Sequence, residues 1–441
     1  MNFKFENFKI HFSLLLCYTY FMMNNVVNDK IVCMSLYQLQ DYYLQHNYND
    51  NMFNLDGSIN KNYNSSKKTG VISNIFEDHW EPFYNANKEM VDKYRPNAPK
   101  EIQKIIDCHN KNLGCNVYEC PNCHEVVFIG NTCKSRLCTS CGYKYKNARV
   151  ENILEHAIKC KHRQIVFTIP KEMRKYFFDF KNMDLLFKAV HIVLDSIVHI
   201  KYKTNKDSIV KSYIINTDFK YGFYSFLHTF GRDMKWNPHI HVLFAEKIFN
   251  VNNEKSKNFE FFNFESLSRR FQKVLLDLMI DIIPQREFNR LYNNHKKGFY
   301  VYAEKKEFPS LKDGIEYVAR YCGRPCISEN RIINYDGNNV TFWYNAHEDE
   351  KYHEVTVSAF DFIKMILRHI IPSQFKTIRS YGFYRKKLPF HDKINMLIKK
   401  EIHKFRKELL KHEWSILSSF NHSPYDCPKC STKLELLCFV T

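Results

Sequence analysis

The sequence predicts an α+β protein, with a central antiparallel sheet, flanking helices and a helical, cysteine-rich segment ahead of them. Three observations carry this expectation. Short alternating apolar runs read as strands, longer stretches between them carry apolar residues at three-and-four spacing, and seven of the fifteen cysteines fall between Cys108 and Cys141. Strands interleaved with covering helices make a layered sandwich in which one sheet face is open. A chain of 441 residues has room for two or three domains and ample core.

Residues 1–70 are Asn- and Tyr-rich, as in Asn60-Lys-Asn-Tyr-Asn-Ser-Ser66, and are expected to form an irregular, disordered extension. Within them, the apolar run Ile10–Met23 is too short and too interrupted to span a bilayer and lacks a small-residue cleavage pattern. Residues 71–150 are expected to form a helical and metal-binding domain. Ile75–Phe83 and Pro99–Ile106 read as helices, with Pro99 in a first turn. They lead into Cys120-Pro-Asn-Cys123 and, after a gap of fourteen residues, Cys138-Thr-Ser-Cys141. Two Cys-x2-Cys knuckles at this separation predict a zinc ribbon in which Cys120, Cys123, Cys138 and Cys141 hold one structural Zn²⁺. Cys108, His109, Cys115 and Cys133 are left over as material for a second centre. Lys134 and Arg136, with Lys144, Lys146 and Arg149, give the module a basic fringe suited to phosphate.

Residues 151–390 are expected to form the core domain. Arg163–Pro170 reads as a strand, Asp184–Ile200 as a helix and Ser266–Ile282 as an amphipathic helix. Val340–Tyr344 and Glu354–Val357 read as further strands, followed by a helix from Ala359 to Ile371 that Pro372 stops. Phe375–Lys387, with Arg379 at its centre, alternates bases and rings in a way that suits a nucleic-acid groove. Residues 391–441 read as a helical tail with the lone pair Cys427 and Cys430, half a knuckle from which no second ribbon is inferred.

The core is organised around Trp236-Asn-Pro-His239-Ile-His241-Val-Leu-Phe244. Its two-residue period sends both imidazoles to one face, a good start on a divalent metal site. A hairpin through the turn-rich Gly231–Pro238 would bring His228 to the same face as third ligand, with Asp233 as the substitute. Downstream, Tyr317 and Tyr321 are spaced to share one face of a helix that Gly323 and Pro325 end, and Arg320 and Arg324 share an adjacent face. Beside a metal-ligand strand, these tyrosines are candidate nucleophiles.

These motifs together resemble the rolling-circle HUH transposases of the insertion sequence 91 type: Cys-Pro-x-Cys, Thr132-Cys-Lys-Ser-Arg-x-Cys138-x-Ser-Cys141-Gly, Ile165–Pro170, Leu227-His-Thr-Phe-Gly-Arg232, Asn237-Pro-His-Ile-His241, Tyr317-x3-Tyr321 and Ile378-Arg-x-Tyr-Gly382. The likeness runs from about Ile75 to Tyr384. It implies an HUH endonuclease core behind a zinc-binding domain, with His239 and His241 as metal ligands and Tyr317 and Tyr321 as nucleophiles that form a 5′-phosphotyrosine link. Mg²⁺ or Mn²⁺ is the expected catalytic ion, aiding a phenol that is a weak nucleophile at neutral pH.

A net charge of +18 points to a polyanionic partner. The resemblance narrows that partner to single-stranded DNA at element ends, and no membrane partner is expected. Clustered cysteines in a chain of this size fit a reducing compartment, and a DNA-acting member of the resembled family is expected to be cytoplasmic and nucleoid-associated. The competing readings are a rolling-circle replication initiator or relaxase, and a catalytically inactive DNA-binding relic. The absence of a Gly-x4-Gly-Lys-Ser/Thr loop disfavours a helicase-coupled initiator.

Overall fold

The computed structural model describes residues 32–33, 70–109, 113–158, 160–203, 212–215, 218–250, 252, 255–259, 262–302, 317, 325–346, 350–385 and 423–440. The apolar run Ile10–Met23 therefore lies outside the described residues, and among those described no helix is long and apolar enough to cross a membrane. The chain divides into two units that interleave along the sequence instead of following it in order. One comprises Met1–Lys68, Asp107–Cys133 and His422–Thr441, the other Thr69–Ile106 and Lys134–Asn421.

The smaller unit is built on a four-stranded sheet. Numbering strands along the chain, it contains β1 (Val32–Cys33), β2 (Cys115–Glu119), β3 (Val126–Gly130) and the last strand, β12 (Glu435–Val440), in the order β1-β12-β2-β3. β2 and β3 form a hairpin around the turn at residues 120–125, with Cys115 opposite Gly130 and Glu119 opposite Val126. β12 lies antiparallel to β2, with Leu436 opposite Tyr118. Tyr118, Cys120, Cys427 and Leu434 close a small core beneath this pairing.

The larger unit begins with α1 (Val71–Tyr94) and α2 (Ala98–Ile106), whose apolar stripes bury Ile75, Phe76, Phe83, Ile102 and Ile105. After α3 (Thr139–His156) comes its central sheet: β4 (His162–Thr168), β5 (Gly222–Phe230), β6 (Trp236–Ala245), β7 (Val301–Tyr302) and β11 (Ile378–Gly382). Their order is β7-β4-β6-β5-β11, and every pairing is antiparallel. A smaller antiparallel sheet of β8 (Ile332–Tyr335), β9 (Asn339–Asn345) and β10 (Tyr352–Ser358) precedes α6 (Ala359–Leu367), which Ser358 caps by accepting from the Asp361 amide.

Strand parity divides the central sheet into two faces. Phe223, Leu227, Ile240, Val242 and Phe244 turn to one side, where α4 (Met183–His199) and α5 (Phe264–Leu278) contribute Leu186, Phe187, Val190, Phe271 and Leu275 to the main core. Each such side chain removed from water contributes roughly 1.5–3 kcal/mol, so this face fixes the register of the sheet. The opposite face carries Tyr224, Phe226, Leu243 and Ala245, covered by Val150, Ile153 and Leu154 of α3. That second face also receives the histidines.

Candidate metal centre

β5 and β6 set His228 directly opposite His239, and Phe226 opposite His241. Since cross-strand partners share a face, all three imidazoles emerge on the side covered elsewhere by α3. A register shift between His228 and Phe230 marks where the hairpin begins to turn. The ring centroids are 5.0 Å apart for His228 and His239, 4.1 Å for His228 and His241, and 4.9 Å for His239 and His241. Their available nitrogens all lie within 4.8 Å of one another. Asp233 is not in this group. Its carboxylate instead braces the turn, accepting from the Lys235 amide at 3.1 Å and pairing with Lys235 Nζ at 2.8 Å.

The donor set suits a divalent ion. His228 and His241 are 1% and 8% exposed. Burial, reinforced by the charges of neighbouring histidines and, for His228, of Arg136, holds both well below the usual histidine range. Both rings therefore stay neutral, the form that ligates. His239 Nδ1 donates to the carbonyl of Asn237 at 2.6 Å, which leaves Nε2 for the cluster. His241 Nδ1 lies 3.1 Å from the Gln164 amide nitrogen, which donates to it. Turning that carboxamide by 180° presents its oxygen to Nδ1–H and frees Nε2, the pairing that ligation requires. Gln164 comes from β4, where it sits opposite Leu243 on the imidazole face.

Tyr317 is helical, half-buried and packed against the cluster formed by Tyr224, Phe226, Leu243 and α3. It thus shares the sheet face of the imidazoles. Two other tyrosines of that face are differently placed: Tyr384 is buried with its hydroxyl 2.6 Å from His162 Nε2, and burial pushes the Tyr224 phenol upward. Tyr321, Arg320 and Arg324 lie outside the described residues.

Of the expected basic contacts, Arg136 acts on the cluster through its charge, and Lys134 is exposed at a left-handed φ of 55°. Arg379 faces the other way. Its strand position opposite Ser225 puts it on the main-core side, where the guanidinium lies 3.8 Å from the centroid of Phe187 and pairs with Asp184. An open pocket that the sequence did not reveal lies at the hairpin tip, lined by Arg232, Arg331, Trp343, Tyr344 and Asn345. Arg331 donates to the carbonyls of Trp343 at 2.8 Å and Arg232 at 2.6 Å, and Trp343 stacks on Tyr352 at 5.5 Å.

The cysteine grouping differs from the ribbon expected from spacing. Cys120 and Cys123 converge with Cys427 and Cys430, not with Cys138 and Cys141. The reason is non-local: β3 occupies much of the fourteen-residue gap, and the pairing of β12 with β2 delivers a second knuckle to the first. Cys138 and Cys141 belong to the larger unit, where Cys138 precedes the first turn of α3. In the smaller unit the Cys133 amide donates to Cys108 Sγ at 3.4 Å. His109 and Cys115 belong to no converging ligand group among the described residues.

An α+β core with three convergent imidazoles and a cysteine-rich module give the chain two kinds of candidate metal-ligand group. Residues 75–169 match the family described as a transposase zinc-binding domain, and residues 222–389 match the family described as a putative transposase. The transposase for insertion sequence element IS801 of Pseudomonas savastanoi pv. phaseolicola is 26% identical over 300 residues, 64% of this chain and 69% of that protein. The putative transposase y4qJ of Sinorhizobium fredii (strain NBRC 101917 / NGR234) is 25% identical over 308 residues, 65% of this chain and 74% of its own length. No solved structure matches significantly. Together these similarities support a transposase of the insertion sequence 91 type with an N-terminal zinc-binding domain.

Proposed function

We propose that this transposase cleaves and rejoins single-stranded DNA at element ends through an HUH endonuclease core, with Tyr317 and Tyr321 as nucleophiles. The supporting observation is the convergence of His228, His239 and His241 on the sheet face against which Tyr317 packs. His228, His239 and His241 would hold Mg²⁺ or Mn²⁺, which would supply positive charge beside the scissile phosphate. The phenolic oxygen of Tyr317 forms a bond to phosphorus as the bond to the 3′ oxygen breaks. The phenol's proton is lost and the departing oxygen gains one, leaving a 5′-phosphotyrosine and a free 3′-hydroxyl. Because one phosphoester replaces another, the strand can be rejoined without a nucleotide cofactor, and Tyr321 gives a second acceptor for the incoming strand.

Arg136, with Lys134, Arg320 and Arg324, supplies positive charge for the DNA backbone. Trp343 and Tyr352, beside Arg232 and Arg331, offer unpaired bases a surface to stack on. The deciding experiment incubates the protein with labelled single-stranded DNA from the flanks of its own gene and Mn²⁺. A protein–DNA species that survives boiling in detergent is expected from the wild type and absent from Y317F/Y321F. A wild type that binds the oligonucleotide but never forms the adduct would instead be a DNA-binding relic.

A further inference from the structure

We propose that Cys120, Cys123, Cys427 and Cys430 form one zinc site that fastens residues 423–440 to the hairpin of residues 115–130. Two of these ligands lie outside both matched family regions. The argument begins with the knuckles themselves. In the first, the His124 amide donates to the Cys120 carbonyl at 2.9 Å, the Cys120 amide donates to the Glu125 carbonyl at 2.8 Å, and His124 has φ 55°. In the second, the Ser431 amide donates to the Cys427 carbonyl at 2.9 Å, the Cys427 amide donates to the Thr432 carbonyl at 2.8 Å, and Ser431 has φ 58°. Both sequences read Cys-Pro-x-Cys. One turn is thus built twice, including a non-glycine residue in the left-handed region, a conformation that needs compensation.

The turns face each other. Sγ of Cys120 lies 3.4 Å from that of Cys430, Cys123 lies 3.5 Å from Cys427, and Cys123 lies 3.6 Å from Cys430. These separations are far beyond a disulfide of about 2.05 Å. They approach the roughly 3.8 Å edge of a tetrahedron whose Zn–S bonds are about 2.3 Å. Zn²⁺ binding there releases the thiol protons to solvent and leaves four thiolates on one ion.

The site's consequence is mechanical. β12 meets β2 through a ladder whose register shifts between Leu436 and Cys438, and beside it Tyr118 packs against Tyr425 at 5.2 Å and Lys429 pairs with Glu125 at 2.5 Å. So small a core needs a staple to hold a strand distant in sequence. The zinc ion joins the two knuckles and sets the register of β12 on β2.

The test uses the full chain, purified under reducing conditions with Zn²⁺. C120S/C123S and C427S/C430S should each lose one zinc equivalent by elemental analysis, and the fourfold serine variant should lose no more than that same one. Amides of residues 116–119 and 435–439 should exchange at least tenfold faster in either pair variant. Independently of whether the serine variants fold, C427H should retain the zinc and change the visible spectrum of the Co²⁺-substituted protein from that of a four-thiolate site. Full zinc content in C427S/C430S, loss of two equivalents in the fourfold variant, or an unchanged Co²⁺ spectrum in C427H would each overturn the assignment.

Discussion

Replacing Gln164 tests the metal centre without touching a ligand. Its carboxamide sits 3.1 Å from His241 Nδ1 and orients a ring that is 8% exposed. Gln164→Leu keeps the approximate volume but leaves Nδ1–H unpaired when Nε2 binds an ion. Loss of such an outer partner lowers metal affinity about 10–100-fold, or about 1.4–2.8 kcal/mol. Gln164→Glu separates this effect from packing, because a carboxylate can only accept and therefore holds the ligating tautomer. The expected order of Mn²⁺ affinity, measured by titration calorimetry on zinc-loaded protein, is wild type or Gln164→Glu well above Gln164→Leu. Equal affinities for wild type and Gln164→Leu would mean that Gln164 does not position the ligand, and weaker binding by Gln164→Glu would show that the amide must donate.

Three further outcomes follow from other parts of the larger unit. Trp343→Ala should weaken binding of a single-stranded oligonucleotide by about 1–3 kcal/mol, the usual worth of one stacked base, with metal affinity unchanged; filter binding with a fixed salt concentration reads this. Gly382→Ala should destabilise the core by about 1–3 kcal/mol or more in urea melts, because Gly382 has φ 59° and a Cβ there would stand 1.7 Å from the Tyr221 carbonyl oxygen. His369 donates from Nε2 to the Met234 carbonyl at 3.0 Å and faces Thr229 Oγ1 at 3.1 Å from Nδ1, and burial lowers its pKa to about 4. Since the unfolded chain takes up this proton near pH 6.5 and the folded chain does not, the stabilisation is whole above that value and is lost as pH falls towards 4. Between pH 7 and 4.5 the wild type should lose about 2–3 kcal/mol through this group, and His369→Gln should show a correspondingly shallower pH dependence.

The parts of the site that sequence discloses are those with local periodicity. His239 and His241 announce themselves because two-residue alternation is a property of one strand, and His228 follows once the turn-rich Gly231–Pro238 is read as a hairpin. Gln164 was hidden because its relevance depends on which strand lies beside β6, and β4 is far upstream in the sequence. Arg379 shows what composition leaves open: alternating bases and rings mark a segment, but only parity against β5 tells which side of the sheet it covers. The repeated Cys-Pro-x-Cys was visible, yet nearness along the chain favoured Cys138 and Cys141, whereas the pairing of β12 with β2 chose Cys427 and Cys430. Fold class was legible from patterning; strand order, on which ligand choice depends, was not.

The parity of β5 and β6 has one more consequence. Sliding either strand by a single position would drive its imidazoles into the phenylalanine side of the sheet and lift Phe223, Leu227 or Ile240 out of it. Misalignment would thus penalise itself twice, through stranded nitrogens and exposed rings. The same phenylalanines that make the protein stable act as a template that aligns its imidazoles, so the precision of their convergence is inherited from packing on the far side of the sheet.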